Sequence, residues 1–208
     1  MSVIAIDCSR RGRLVCVLAT ESGGLLAGGS ASAPATSAAL PLRLAELLGP
    51  EVSALVAVNG PGSYTGLRAG LAAALGLAAA RGLRVHVVGA LEVPALHARR
   101  RGPVRVVADA GRGGVYTAVY DATAAETLVE LESPRRLTDA ELAALAAEPG
   151  SEGLDGNLPW LSLDPLPLVR STVDAAAALA AAVPTALARP PIDPRAPPVV
   201  YLSATVSA

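Results

Sequence analysis

"VNGPGSYTGLRAG", residues 58–70, lies where an apolar stretch that favours a strand runs into an apolar stretch that favours a helix. Glycines and hydroxyl residues at such a junction have two physical uses. They can present backbone N–H groups and a helix N-terminus to an anion, or they can let the helix lie close against a neighbouring backbone. These two uses predict different functions, and the rest of the sequence bears on the choice between them.

The segments around this junction alternate between strand and helix patterns. Three short strand-like runs separated by turn signals predict an antiparallel meander, and two helix–strand units follow it. The predicted elements are strands at 3–7, 13–20 and 24–32, a helix at 36–48, a strand at 54–60, a helix at 63–81 and a strand at 83–90. This order predicts a mixed five-stranded sheet with flanking helices, the ribonuclease H-like arrangement of actin and the sugar kinases.

A second, smaller lobe is predicted beyond the arginine-rich run at 98–103. Residues 1–98 would form the first lobe and residues 103–208 a degenerate second one, too short to repeat the first. Its predicted elements are a hairpin joined around residue 112, a helix at 138–150 capped by Thr138 and Glu141, a helix at 172–183, and an extended Pro-rich end.

Composition excludes several classes of function. All 17 basic residues are arginine, so a Schiff-base or phosphate-loop lysine is not available, and the net charge of −1 gives no basic field for holding nucleic acid unaided. The longest apolar run, 69–80, is shorter than a membrane-spanning helix, and Asp7 interrupts any secretory leader. We therefore expect a cytoplasmic protein without a membrane segment.

The cysteines and histidines do not form a metal-ligand pattern. Cys8 and Cys16 flank Gly12, so a hairpin centred there would place them opposite each other, although two buried thiols are favoured over a redox pair. His86 and His97 have no metal-ligand spacing. We expect no bound metal and no catalytic residue.

The phosphate-loop interpretation of the junction fails on spacing. Five residues separate Gly60 from Gly66, where a phosphate loop has four followed by a lysine. Ser63 and Thr65 leave a weaker anion site open, although capping alone accounts for hydroxyls at a helix start. Asp7 and Ser9, at the end of the first strand, are candidate nucleotide contacts, with a nucleotide expected only weakly or in a complex.

Close packing explains more of the residues. Gly66, Gly70, Ala74 and Ala78 recur every four residues and predict a smooth stripe along the helix, beside a ridge of leucines. We predict that this surface receives a helix of another subunit, and that a Gly70→Leu chain still folds but no longer associates. The predicted interface residues are Gly66, Leu67, Gly70, Leu71, Ala74, Leu40 and Leu44. The alternative is that both faces of the helix are satisfied inside this chain.

The segment "GPGSYTGLRAG", 60–70, closely resembles the signature of the TsaB (YeaZ-like) family. Weaker similarity covers "VIAIDCS" at 3–9, "ADAGRGGVYTAVYD" at 108–121 and "PPVVYL" at 197–202. The chain departs from the family pattern where a histidine is missing from the first helix and where Ser203 replaces a common arginine.

The resemblance implies an actin-like (ASKHA) fold with a reduced second lobe. It also implies a non-catalytic scaffold of the bacterial machinery that attaches a threonylcarbamoyl group to adenosine 37 of tRNA. The implied partners are a TsaD-like catalytic subunit and a TsaE-like ATPase, with a homodimer when the protein is alone and tRNA bound only through the complex. The alternatives are an ATP-binding kinase-like enzyme and a metallopeptidase, the latter disfavoured by the isolated histidines.

Overall fold

The computed structural model describes residues 1–32, 36–98, 102–111, 114–124, 127–138, 141, 153–154, 168–169 and 174–202. Two five-stranded sheets organise these residues. In chain order, the elements are β1 Ser2–Asp7, β2 Arg13–Thr20, β3 Leu25–Ser32, α1 Thr36–Leu47, β4 Val52–Val58, α2 Tyr64–Arg81, β5 Arg84–Val88, α3 Glu92–Ala98, β6 Pro103–Asp109, β7 Gly114–Ala124, β8 Thr127–Thr138, β9 Gly153–Leu154, β10 Leu168–Val169, α4 Ala175–Ala181 and α5 Val183–Leu187.

The first sheet has the predicted mixed topology, with strand order β3-β2-β1-β4-β5. Strands β1, β2 and β3 are antiparallel, and β4 and β5 continue from β1 in parallel. β1 is buried along its whole length because helices cover both faces of the sheet. Alternate residues such as Ile4 and Ile6 face α1 and α2, whereas Val3 and Ala5 face α4 and α5.

The second sheet repeats the strand order of the first. Its order is β10-β9-β6-β7-β8, so an antiparallel meander is again extended by two parallel strands. The sequence predicted that the second half is too short to repeat the first. For the strand order, that prediction was wrong. The repeat fits into fewer residues because β9 and β10 have two residues each. The reduced second lobe stays a prediction.

Helix α3 joins the cores of the two sheets. Val93 packs with the first core, whereas Leu91 and Ala95 pack with Tyr116 and Tyr120 of β7 in the second sheet. The ion pair between Glu92 and Arg189 (2.8 and 3.0 Å) ties this helix to the segment after α5.

The helices near the C-terminal end return to the first sheet. Leu179 of α4 and Val183 of α5 are fully buried against it, in the same core as Val3. The predicted lobe boundary at 98–103 stays a prediction, but residues 175–187 pack with the residues predicted to form the first lobe. The predicted helix at 172–183 is present as α4, Ala175–Ala181, and a second short helix, α5, begins at Val183 with Pro184 in its first turn.

Several sequence predictions fall partly outside the described residues. The capping box is present, since Thr138 N and Thr138 Oγ1 each donate to Glu141 Oε2 at 2.8 Å. The helix expected beyond it, the arginines at 99–101 and Ser203 all lie outside the described residues. Among the described helices, none is both long enough and apolar enough to cross a membrane.

Candidate functional site at the glycine loop and helix α2

The glycine loop, residues 59–63, joins β4 to α2 and lies directly on the end of β1. Ser63 N donates a hydrogen bond to the carbonyl oxygen of Ser9 at 2.6 Å. A Cβ placed on Gly62 would lie 2.5 Å from the same oxygen. The loop therefore needs glycine here because backbone passes against backbone.

The four candidate anion-binding residues are partly brought together. Asp7, Ser9 and Ser63 lie at this junction, and Thr65 is exposed one turn into the helix. Asp7 Oδ1 accepts from Ser9 N at 2.7 Å, and Asp7 Oδ2 lies 3.8 Å from Arg13 Nη2. Nucleotide binding at this place stays a prediction.

Ser63 caps helix α2. Its Oγ accepts from Gly66 N at 3.3 Å, which satisfies one of the N–H groups that a helix leaves unpaired in its first turn. Both Asp7 and Ser63 thus use side-chain oxygens for local backbone hydrogen bonds, Asp7 in the turn after β1 and Ser63 at the start of α2.

The glycine stripe of α2 lies on the sheet and does not face solvent. A Cβ on Gly66 would overlap the carbonyl oxygen of Cys8, and a Cβ on Gly70 would lie 3.3 Å from Cys8 Sγ. Ala74 and Ala78 are also buried. The prediction that this stripe receives a helix of another subunit is wrong for this face, because the end of β1 already occupies it.

The other predicted interface residues are also buried within this chain. Leu67, Leu71, Leu40 and Leu44 have exposed fractions of 1%, 3%, 1% and 7%. Leu40, Leu44 and Leu71 fill the space between α1, α2 and the sheet, whereas Leu67 packs into the core on the other side. The alternative left open by the sequence, internal packing, therefore describes this face of α2.

The opposite face of α2 is exposed, smooth and uncharged. It carries Ala72, Gly76, Ala79 and Ala80, all exposed, and no charged residue lies between Arg68 and Arg81. A Cβ added to Gly76 would meet nothing within 4 Å. The sequence analysis missed this face because small residues line both sides of the helix, and spacing does not show which side meets the sheet.

The two cysteines are buried and unreactive. Burial raises the pKa of both thiols to about 12, and the nearby Asp7 carboxylate adds to the rise at Cys8. In the hairpin Cys16 lies opposite Ile6, so the expected pairing of Cys16 with Cys8 across the turn is wrong. The observed register pairs Asp7 with Val15, so it is shifted from the register that would place the two cysteines opposite each other.

The described histidines do not form a metal site. The residues that the structure describes contain no group of three or more His, Cys, Asp or Glu side chains that could hold a metal ion. His86 is buried, and its Nδ1 lies 3.0 Å from the carbonyl oxygen of Arg189. This ring nitrogen has a structural partner, since a carbonyl requires a donor.

The Pro-rich segment after α5 runs along the edge of the first sheet to the glycine loop. Ile192 N donates to Val85 O at 2.9 Å, so the segment covers edge strand β5. Further along, Val200 N donates to Asn59 O at 2.9 Å, and Asn59 Nδ2 donates to Pro198 O at 3.0 Å. The extended conformation was predicted, but its position over the loop was not.

The two sheets with their flanking helices define an actin-like (ASKHA-type) protein. The family model described as "TsaD: tRNA N6-adenosine threonylcarbamoyltransferase" matches residues 41–153, more than half of the 208-residue chain. The chain therefore belongs to this family.

Relatives and solved structures confirm the resemblance to TsaB and YeaZ proteins. An uncharacterized protein of Mycobacterium leprae is 35% identical over 140 residues, which cover 67% of this chain and 36% of that protein. The tRNA threonylcarbamoyladenosine biosynthesis protein TsaB of Bacillus subtilis is 39% identical over 71 residues, 34% of this chain and 31% of its own. The chain thus matches about a third of the length of each of these relatives.

A YeaZ structure from Pseudomonas aeruginosa shares the fold over almost the whole chain. It superimposes with a TM-score of 0.76 and covers 97% of this chain and 99% of its own, at 23% identity. A second Pseudomonas aeruginosa structure, described as similar to peptidase YeaZ, gives a TM-score of 0.74. These similarities show that the fold is shared over nearly the whole chain.

Proposed function

We propose that the protein is a non-catalytic scaffold subunit in the synthesis of N6-threonylcarbamoyladenosine in tRNA. Its family and its TsaB relative place related proteins in this chemistry. In this proposal a TsaD-like subunit carries out the transfer, and a TsaE-like ATPase joins the complex. The protein pairs with itself when alone and meets tRNA only through the complex.

The observation that carries the proposal is the exposed Gly76. Glycine in a helix interior costs about 1 kcal/mol relative to alanine, and no described residue would lie within 4 Å of a Cβ at this position. A backbone that passes close to the helix from outside would offset that cost. Gly76 therefore supports a partner that packs directly on the outer face of α2.

The neighbouring surface has a composition suited to a partner. Ala72, Ala79 and Ala80 flank Gly76, and no charged residue lies between 69 and 80. A helix face depleted of charge resembles the core of a protein interface more than a solvated helix face. On the adjoining helix α1, Leu42 is 68% exposed, next to the ion pair between Arg43 and Glu46. We propose that the TsaD-like subunit, or a second copy of this chain, binds here.

The chemistry of the described side chains supports a scaffold role. Both thiols stay neutral at physiological pH because burial raises their pKa, and a neutral thiol is a poor nucleophile. Asp7 is the candidate carboxylate of the kinase-like alternative. Its carboxylate accepts a hydrogen bond from Ser9 N in the turn after β1 and forms an ion pair with Arg13. We propose that a nucleotide binds weakly or only in the assembled complex, and that no metal is held tightly.

Reconstitution tests this proposal. The protein and a TsaD-like subunit are assayed separately and together, with a TsaE-like ATPase present, for threonylcarbamoyl transfer to tRNA. We expect transfer only when both subunits are present. Transfer by this protein alone, or full activity of the TsaD-like subunit without it, would contradict the scaffold role. Stoichiometric nucleotide binding by the isolated protein would favour the kinase-like alternative.

A further inference from the structure

The exposed aromatic rings of the described residues are gathered at one place. Tyr116 and Tyr120 are buried in the second sheet, whereas Tyr64 and Tyr201 are 57% and 47% exposed. The ring centroids of this exposed pair lie 5.0 Å apart with the planes tilted by 36°. Two exposed tyrosines that are 137 residues apart in the sequence therefore form one continuous aromatic surface.

This pair is held in place by the backbone on both sides. Tyr64 is the first residue of α2, directly after the cap Ser63. Tyr201 follows Val200, and Val200 N donates a hydrogen bond to Asn59 O. The carbonyl oxygen of Val200 lies so close to Gly60 that a Cβ on Gly60 would overlap it. A surface fixed in this way loses little conformational entropy when a ligand binds.

Arginine borders the aromatic pair. The guanidinium carbon of Arg68 lies 5.1 Å from the centre of the Tyr64 ring, and Arg68 Nη1 donates to Tyr64 Oη. We call Tyr64, Arg68 and Tyr201 the aromatic–arginine patch.

The segments that adjoin the patch are basic. The turn after β1 lies against Ser63 and carries Arg10 and the exposed Arg11. Residues 8–20 and 52–80 together contain four arginines and no aspartate or glutamate, and the Asp7 carboxylate that precedes them lies 3.8 Å from Arg13 Nη2. Four arginines against this one carboxylate favour an anionic ligand near the patch, in a chain whose net charge is −1.

We propose that the aromatic–arginine patch binds single-stranded RNA, with an unpaired base stacked on the tyrosine pair and Arg68 close to the backbone phosphate. Stacking on aromatic rings beside arginine is the general way in which proteins hold single strands. The identification of this strand as part of the tRNA substrate rests on the proposed function, in which tRNA is bound within the complex, so we expect the isolated chain to bind RNA only weakly. The patch then positions RNA beside the partner-binding face of α2.

RNA fits the patch better than a protein partner does. The outer face of α2 is uncharged from residue 69 to residue 80, which suits close helix packing. At the start of the same helix the composition changes to tyrosine and arginine, with further arginines on the adjoining turn. An excess of arginine over carboxylates in the adjoining segments suits a polyanion.

Fluorescence anisotropy with labelled single-stranded oligoadenylate tests the proposal on the full-length chain, with the duplex form as a control. At about 50 mM salt we expect a Kd on the order of 10⁻⁴ M for the single strand and weaker binding of the duplex. A Tyr64→Ala/Tyr201→Ala chain should bind the single strand about fivefold to a hundredfold more weakly, which is the factor expected when the stacking of one base is lost. The matched Tyr64→Phe/Tyr201→Phe chain keeps both rings and should bind like the wild type.

A salt titration separates the contribution of Arg68 to RNA binding from the contribution of the two tyrosine rings. Arg68→Gln should reduce the slope of log K against log salt concentration by about 0.7, the value for one phosphate contact on a single strand. The double alanine chain should keep the wild-type slope. Since all three side chains are on the surface, circular dichroism should show the wild-type fold in each variant.

Three results would overturn the inference. They are failure of the wild type to bind the single strand, equal binding of the duplex, and wild-type affinity in the double alanine chain. Loss of TsaD-like subunit binding in the double alanine chain, with RNA affinity unchanged, would make the patch a protein-docking site. Gly76→Leu should leave RNA binding unchanged. Subunit binding and RNA binding are therefore measured with different variants, and failure of the scaffold proposal can be distinguished from failure of this one.

Discussion

Helix α2 has two smooth faces, and they are smooth for different reasons. On the inner face, Gly66 and Gly70 lie against Cys8 at the end of β1, where a side chain would meet backbone or sulfur. On the outer face, Gly76 has open space around it. The inner glycines are explained by this chain alone, whereas the outer glycine has no explanation within it.

This difference shows what small residues in a helix indicate. Their spacing reports that another backbone comes close, but not whether that backbone belongs to the same chain. The structure assigns the inner face to the first sheet. We propose the outer face as the surface for a partner, and the same substitution at Gly70 and at Gly76 should therefore have opposite effects.

Gly70→Leu should have the largest effect, contrary to the prediction from sequence. A leucine would be forced against Cys8 and Ile6, and we expect the free energy of unfolding to fall by roughly 3 kcal/mol. Urea denaturation followed by circular dichroism measures this. A Gly70→Leu chain as stable as the wild type would mean that the inner face is less tightly packed than the structure shows.

The buried thiols should make the stability of the inner face depend on pH. A thiol ionises near pH 9 when exposed, but burial raises the pKa of Cys8 and Cys16 to about 12. The unfolded chain therefore loses these protons first, so stability is complete below pH 9 and falls as the pH rises from 9 towards 12. At pH 10 the loss should be about 1 kcal/mol for each thiol.

Urea denaturation of the wild type and of Cys8→Ala at pH 8 and pH 10 tests the thiol effect. The loss between the two pH values should be smaller in Cys8→Ala by about 1 kcal/mol. An equal loss in both chains would assign the pH dependence to other groups.

Gly76→Ala should have the smallest effect on the isolated protein, and the opposite sign. Alanine has the better helix propensity and a Cβ here touches nothing, so we expect the free energy of unfolding to rise by about 0.8 kcal/mol. Thermal unfolding of the monomer measures this shift. A lower melting temperature would mean that the outer face has a packing partner within the chain.

The first sheet could be predicted from sequence because each element there has a strong local pattern. β1 and β4 are continuous apolar runs, and Ser63 and Gly82 mark the two ends of α2. Strand β8 was missed because most of its described residues are exposed or charged and it contains Pro134, which is tolerated at a sheet edge.

The second sheet shows why the rest could not be predicted. Strands of two residues, such as β9, carry no periodic pattern, so the repeated strand order was not visible in the sequence. Helix α3, Glu92–Ala98, is short, with Pro94 inside it and an arginine run after it, and no element was predicted there.

The partner site on α2 stays a prediction, and the residues chosen for it from the sequence lie on the buried face of the helix. The sequence placed the close packing on α2, and the structure confirms that Gly66 and Gly70 need close neighbours. Which face meets the sheet depends on the rotation of the helix, and that rotation is set by contacts with Cys8 far away in the sequence. Tyr201 comes beside Tyr64 through another long-range contact of the same kind.

Binding of a TsaD-like subunit to Gly76→Leu tests the central claim most directly. Titration calorimetry of the wild type, Gly76→Ala and Gly76→Leu gives the affinity, and urea denaturation of each chain gives its stability. We predict that Gly76→Leu is at least as stable as the wild type but binds the subunit more weakly by about tenfold or more, because its side chain separates backbones that must nearly touch. Wild-type affinity in a folded Gly76→Leu chain would contradict the assignment of the outer face of α2 to the partner.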